Sequence, residues 1–129
     1  MKYLVDTHVL LWLLSTPDRI AAPVRSILAD RSNALLVSAA SALEISTKVR
    51  LHKLDAADLT ATLGRRLEDI GAEVLPITLA QALLAGSMSW AHRDPFDRLL
   101  VAQATVEDAT FVTVDAAIVG IPVPRILTW

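Results

Sequence analysis

Four carboxylates in this chain stand where carboxylates are costly. Asp6 follows Tyr3-Leu4-Val5, and Glu44 lies between Leu43 and Ile45. Asp97 precedes Leu99-Leu100-Val101, and Asp115 follows Phe111-Val112-Thr113-Val114. An acid beside a core segment is unfavourable unless it is paired, hydrogen-bonded or bound to a metal. Most of the other acids sit in polar neighbourhoods such as Asp55–Asp58 or Glu107-Asp108. Carboxylate oxygens suit hard divalent cations, and Mg²⁺ completes its shell with water and phosphate oxygens. The chemistry open to such a cluster is metal-assisted hydrolysis of a phosphodiester, with one ion or with two roughly 3.5–4 Å apart.

Each acid also has a plainer reading. Asp6, Asp94 and Asp115 precede helical stretches and can serve as N-caps. Asp94-Pro95 reads as an N-cap followed by proline at the first helical position, which puts Asp97 third, where the helix dipole favours an acid. Glu44 can form an ordinary helical ion pair with Lys48, four residues on. What favours the metal reading is that all four acids are expected on one edge. The basic residues are scattered, among them the run Lys48, Arg50, His52 and Lys53; Lys48, Arg93 and Arg98 are candidates for phosphate contact, whereas Arg65-Arg66 reads as a solvated helix face. His92 is either a general acid or base or the partner in an ordinary loop hydrogen bond. Trp12 and Trp90 read as packing residues.

The elements that must position these groups follow from apolar pattern and punctuation. Strands are expected at Lys2–Asp6, Ala34–Val37, Glu73–Leu75 and Thr110–Val114. A possible edge strand lies in Pro122–Leu127, where two prolines exclude a central position. Helices are expected at Thr7–Leu14, Ala22–Asp30, Ala39–Leu51, Ala56–Ile70, Leu79–Ser87 and Phe96–Glu107. Pro17 breaks the first helix and Gly71 stops the fourth. The strand runs are continuously apolar, as parallel strands buried on both faces are. The class is α/β: a three-layer α/β/α sandwich around a mostly parallel sheet of four to five strands. Ligands of such sheets bind outside the carboxyl ends of the strands. Asp6 and Asp115 end strands, and Glu44 and Asp97 lie in the first two turns of helices that start on that same edge.

The 129 residues suit one domain, residues 1–129, with 53% hydrophobic content for its core. The absence of cysteine excludes disulfides, zinc–thiolate sites and thiol nucleophiles, and it fits a reducing compartment. Asp6 and His8 interrupt what would be a signal-peptide core, and no apolar run approaches a membrane span. A soluble, cytoplasmic protein is expected. The formal net charge of −2 counts against a nucleic-acid binder, unless several acids are metal ligands whose charge the ion inverts.

In their order and spacing these residues resemble the PIN-domain family and, within it, the VapC-type toxins of toxin–antitoxin pairs. Tyr3-Leu-Val-Asp6-Thr7 looks like the first strand ending in the first acid, and Ser41-Ala-Leu-Glu44-Ile45 like the second motif. Asp97-Arg-Leu-Leu-Val-Ala-Gln-Ala104 is similar to the third motif, and Thr113-Val-Asp115 to the last. His92-Arg-Asp-Pro-Phe-Asp97-Arg98 is similar to one branch of the family, which carries an extra acid at Asp94. The resemblance implies an endoribonuclease that needs Mg²⁺ or Mn²⁺. Asp6, Glu44, Asp97 and Asp115 would be catalytic, with Asp94 a further metal ligand, and Thr7, Ser41 and Thr113 would orient the ligands. It also implies a homodimer and a cognate antitoxin whose tail fills the acidic groove, with DNA contacted only through that antitoxin.

Three other readings compete with this one. A haloacid-dehalogenase-like phosphatase needs a second aspartate two residues after the first, where this chain has His8. A receiver-type signalling domain needs a lysine ending a late strand, and no lysine follows Lys53. A PIN fold that only binds a partner is the alternative that remains.

Overall fold

The computed structural model describes residues 1–129. Five short apolar segments form a single sheet: β1 (Lys2–Val5), β2 (Ala34–Ser38), β3 (Ala72–Leu75), β4 (Thr110–Val112) and β5 (Ile126–Leu127). Their order is β3-β2-β1-β4-β5, and every pair is parallel. The helices are α1 (Thr7–Ser15), α2 (Ala22–Ala29), α3 (Ala39–Arg50), α4 (Ala57–Asp69), α5 (Leu79–Ser87), α6 (Pro95–Val106) and α7 (Ala116–Val119). The expected three-layer α/β arrangement is present.

Alternation along the strands divides the core in two. Val5, Leu35, Val37 and Val112 face one side, where they pack with Val9, Leu10 and Leu14 of α1, Val24 and Leu28 of α2, Ile45 of α3, and Leu59 and Leu67 of α4. Leu4, Leu36 and Phe111 face the other, against Leu100, Val101 and Ala104 of α6 and Ile118 of α7. Both faces of the central strands are covered, which is why the strand sequences read as unbroken apolar runs. The chain places β2 on one side of β1 and β4 on the other, so a topological switch lies between β1 and β4.

Two expectations are corrected. The fourth strand ends at Val112 and not at Val114, because Thr113 turns its hydroxyl toward Asp6 and the chain leaves the sheet. Asp115 therefore does not end a strand; it caps α7, a single turn too short to show a helical period in sequence. The last segment is an edge strand, as its prolines require, although only Ile126 and Leu127 pair. Gly71 holds a φ of +71° just beyond α4, and a Cβ there would collide with the Arg31 guanidinium.

A buried polar network ties the layers together beneath the site. Gln103 of α6 is fully buried. Its Nε2 donates to Pro76 O (3.2 Å) and to Gln81 Oε1 (3.1 Å), while its Oε1 accepts from the Ser38 hydroxyl. Ser38 in turn caps α3, and Gln81 closes a capping box with Thr78 at the start of α5. Gln103→Leu would leave these groups without partners, at a cost of about 1–3 kcal/mol. Urea unfolding should show the midpoint falling with an unchanged slope.

Candidate metal centre

Asp6 lies one residue beyond β1, at the switch between β1 and β4. Its amide donates to Val112 O (2.9 Å), which continues the ladder and carries the side chain over the strand ends. Asp6 is 5% exposed. Thr113 Oγ1 donates to its Oδ2 (2.7 Å), and the His8 amide donates to Oδ1 at a longer 3.4 Å. No lysine or arginine lies within ion-pair distance of it. Burial raises its pKa, which the Thr113 hydrogen bond opposes; the Glu44 charge raises it further.

Glu44 is also buried, in the second turn of α3. The Thr7 and Ser41 hydroxyls, 2.9 Å apart, join the starts of α1 and α3. Ser41 and Glu44 are three residues apart and so share a helix face. Lys48 Nζ donates to Glu44 Oε2 (2.9 Å), so the expected helical ion pair is present.

Asp97 is the third residue of α6, behind Asp94 as N-cap and Pro95 as first residue. Asp94 Oδ1 accepts from the amides of Phe96 (2.8 Å) and Asp97 (3.2 Å). Asp97 Oδ2 lies 2.7 Å from His92 Nε2. Burial, with the charges of Asp94 and Asp6 behind it, pushes the Asp97 carboxyl up to about 6 against the hydrogen bond from His92. Asp115 is half-buried and caps α7 through Oδ1 (Ala117 N, 2.9 Å), while its own amide donates to Thr113 Oγ1 (3.1 Å).

The charge of Glu44 is near enough to raise the pKa of Asp6, that of Asp6 to raise the pKa of Asp97, and Asp115 is joined to Asp6 through the Thr113 hydroxyl. No three His, Asp or Glu side chains close into a ready cage. The donor set nonetheless fits a hard divalent cation: carboxylate oxygens only, with Asp6 buried and without a lysine or arginine partner.

The expected phosphate-binding cations divide. Lys48 and Arg93 line a cleft of about 390 Å³ that also holds Glu44, Asp94 and Phe96. Lys53 lines it too, a contribution its place in a scattered basic run concealed. Arg98 is engaged elsewhere: its guanidinium donates to the carbonyls of Ala85, Met88, Trp90 and His92, so its fork is taken up by the backbone. His92 takes the hydrogen-bonding option, with Asp97 as partner. Trp12 packs edge-on against Trp129, with ring centroids 6.1 Å apart. It also lines a larger cleft, about 650 Å³, that holds none of the four acids.

A family model described as PIN domain matches residues 3–122. The chain belongs to the PIN domain family. No curated protein matches it at the sequence level. Among solved structures, this PIN domain is similar to VapBC2 from Rickettsia felis, bound to a fragment of promoter DNA. That match has TM-score 0.73 and 17% identity, over 100% of this chain and 99% of that one. It is equally similar to DNA-bound VapBC from Salmonella typhimurium (0.73, 18%, 100% and 98%). VapBC-1 from nontypeable Haemophilus influenzae follows at 0.69 and 17%, again over 100% and 98%. No helix of this PIN domain is long and apolar enough to cross a membrane.

The raised carboxylates set a pH dependence. The folded chain keeps a proton on Asp97 that the unfolded chain has already released, so this group favours folding at low pH. That contribution is lost as pH rises through about 6. Asp6 acts in the same direction. Metal-free protein should therefore melt lower at about pH 7 than at about pH 5. The difference should shrink in Asp97→Asn, as read by calorimetry in EDTA.

Proposed function

We propose that this PIN domain is a metal-dependent endoribonuclease, the toxin member of a toxin–antitoxin pair. The observation that carries the reading is Asp6: a buried carboxylate at the switch point of a parallel sheet, without a cationic partner and flanked by Glu44 and Asp97. Asp6, Glu44, Asp97 and Asp115 would hold Mg²⁺ or Mn²⁺, with Asp94 at the edge of the set. Bound there, the ion supplies Lewis acidity toward a phosphoryl oxygen and toward the attacking water.

The chain's own residues do the rest. Thr113 holds Asp6 and Asp115 in register, and the Thr7–Ser41 contact sets α3, and with it Glu44, against the end of β1. Lys48, Lys53 and Arg93 along the 390 Å³ cleft give the RNA backbone a cationic wall leading to the acids. A carboxylate of the cluster takes the proton from the water as general base. The fold likeness to VapBC complexes supports a small antitoxin as partner, with DNA reached through it, and the family resemblance supports a homodimer working in the cytoplasm.

A second reading is a PIN fold that binds a partner without catalysis. The Lys48 ammonium on Glu44 favours it, because it sits on an oxygen that a metal would use.

Incubation with structured RNAs separates the two. Wild-type protein should cleave with Mg²⁺ or Mn²⁺ and stop in EDTA. Asp6→Asn, Glu44→Gln, Asp97→Asn and Asp115→Asn should each lower the rate by about a hundredfold or more, the scale expected when an electrostatic stabiliser is removed. Asp6→Asn should also melt at or above wild type without metal, since it removes a buried charge. Cleavage that survives EDTA or Asp6→Asn would exclude this site as the source of activity.

A further inference from the structure

The segment Met88–His92 crosses from the end of α5 to the approach of α6 without helical or strand structure, yet it is held at several points. A guanidinium offers five N–H donors in a fixed fork. Arg98 Nε donates to Ala85 O (2.7 Å), Nη1 to Trp90 O (2.6 Å) and His92 O (3.0 Å), and Nη2 to Met88 O (2.7 Å). The same guanidinium lies 6.0 Å from the Trp90 ring centre. On Trp90 the His92 imidazole is stacked, with centroids 4.6 Å apart and planes 17° apart. Backbone and ring plane of His92 are therefore both fixed, and its Nε2 meets Asp97 Oδ2 at 2.7 Å.

We propose that His92 is a positioning residue for Asp97: clamped by Arg98 and Trp90, it occupies one carboxylate oxygen and leaves Oδ1 as the oxygen available to a cation. The inference rests on the reading of Asp97 as a metal ligand. A short aspartate side chain has two rotatable bonds, and at the third position of a helix it can turn back to the free amides of the first turn. Asp94 already takes two of those amides, so the cap is filled and Asp97 is released toward His92. Groups that hydrogen-bond to metal ligands commonly account for 10–100-fold in metal affinity. The arrangement also gives Arg98 a reason to be arginine, since lysine cannot reach four carbonyls from one planar group.

The test uses the full chain in two arms. In metal-free protein, proton–nitrogen NMR of the imidazoles should show a hydrogen-bonded Nε2–H for His92. It should vanish in Asp97→Ala and broaden in Arg98→Lys; if it persists unchanged in Arg98→Lys, the clamp is overturned. The second arm is titration with Mn²⁺ alone, followed by electron paramagnetic resonance. His92→Ala should weaken Mn²⁺ binding by about tenfold. His92→Gln, which restores an N–H donor without the ring, should recover most of that loss. The double variant His92→Ala/Arg98→Lys should bind no more weakly than the poorer single variant, because both act through one contact. Wild-type affinity in His92→Ala, or equal loss in His92→Gln and His92→Ala, would overturn the positioning role and leave the metal site standing. Wild-type protein that ignores Mn²⁺ would sink the metal reading and this inference with it.

Discussion

The hydrogen bond from Thr113 to Asp6 is the constraint on which the site depends. It spans the two strands between which the sheet changes direction, and it satisfies a carboxylate buried almost completely. A buried acid with two neutral donors, one of them long, and no lysine or arginine partner is held at a free-energy cost, and the surrounding sheet must supply the stability that tolerates it. Here the sheet does so through strands buried on both faces, with Leu4 and Val5 fully inaccessible just before Asp6. The Thr113 hydroxyl also accepts the Asp115 amide, so one oxygen fixes the spacing between the first and the last acid of the chain.

Capping a helix and holding a cation are not rival uses of these aspartates. A cap takes one carboxylate oxygen. Asp115 caps through Oδ1 alone, and the Asp6 cap, at 3.4 Å, is long enough to be weak. On Asp115 the second oxygen stays available, whereas Asp6 Oδ2 also accepts from Thr113 and has only its remaining lone pair for a cation. Asp94 differs: its Oδ1 serves two amides and its side chain is exposed, which makes it first a helix start and only then a member of the acidic set.

The class, the parallel sheet and nearly every helix were legible from periodicity and punctuation, because buried parallel strands and capped helices leave local marks. Asp6, Glu44 and Asp97 stood out because an acid beside apolar residues violates the pattern around it. What escaped was non-local or too short. Thr113-Val114 are as β-branched as the strand before them, so β4 was read two residues too long. Arg98 looked like a cation free to meet phosphate, because sequence does not show that three carbonyls of the preceding loop and one of α5 point at it. Lys53 looked scattered until the fold set it beside Arg93. Strand order itself is non-local, and with it the switch point that gives Asp6 its place.

Net charge was the one sequence signal that pointed away from nucleic acid, and a net figure says little about any one surface. A formal charge of −2 averages over surfaces that do not see one another, since exposed charges more than a Debye length apart, about 8–10 Å, are screened. Locally, Lys48, Lys53 and Arg93 share one cleft with Glu44 and Asp94, and the Glu44 charge reaches Asp6. On the proposed reading, this arrangement makes phosphate binding conditional. Without a divalent ion the carboxylates repel the backbone that the cations attract, and with it the whole path becomes attractive. The Lys48–Glu44 pair then acts as a placeholder: the ammonium offsets a buried acid in the metal-free protein, and its long flexible stem lets it swing to a phosphate when the ion takes its place.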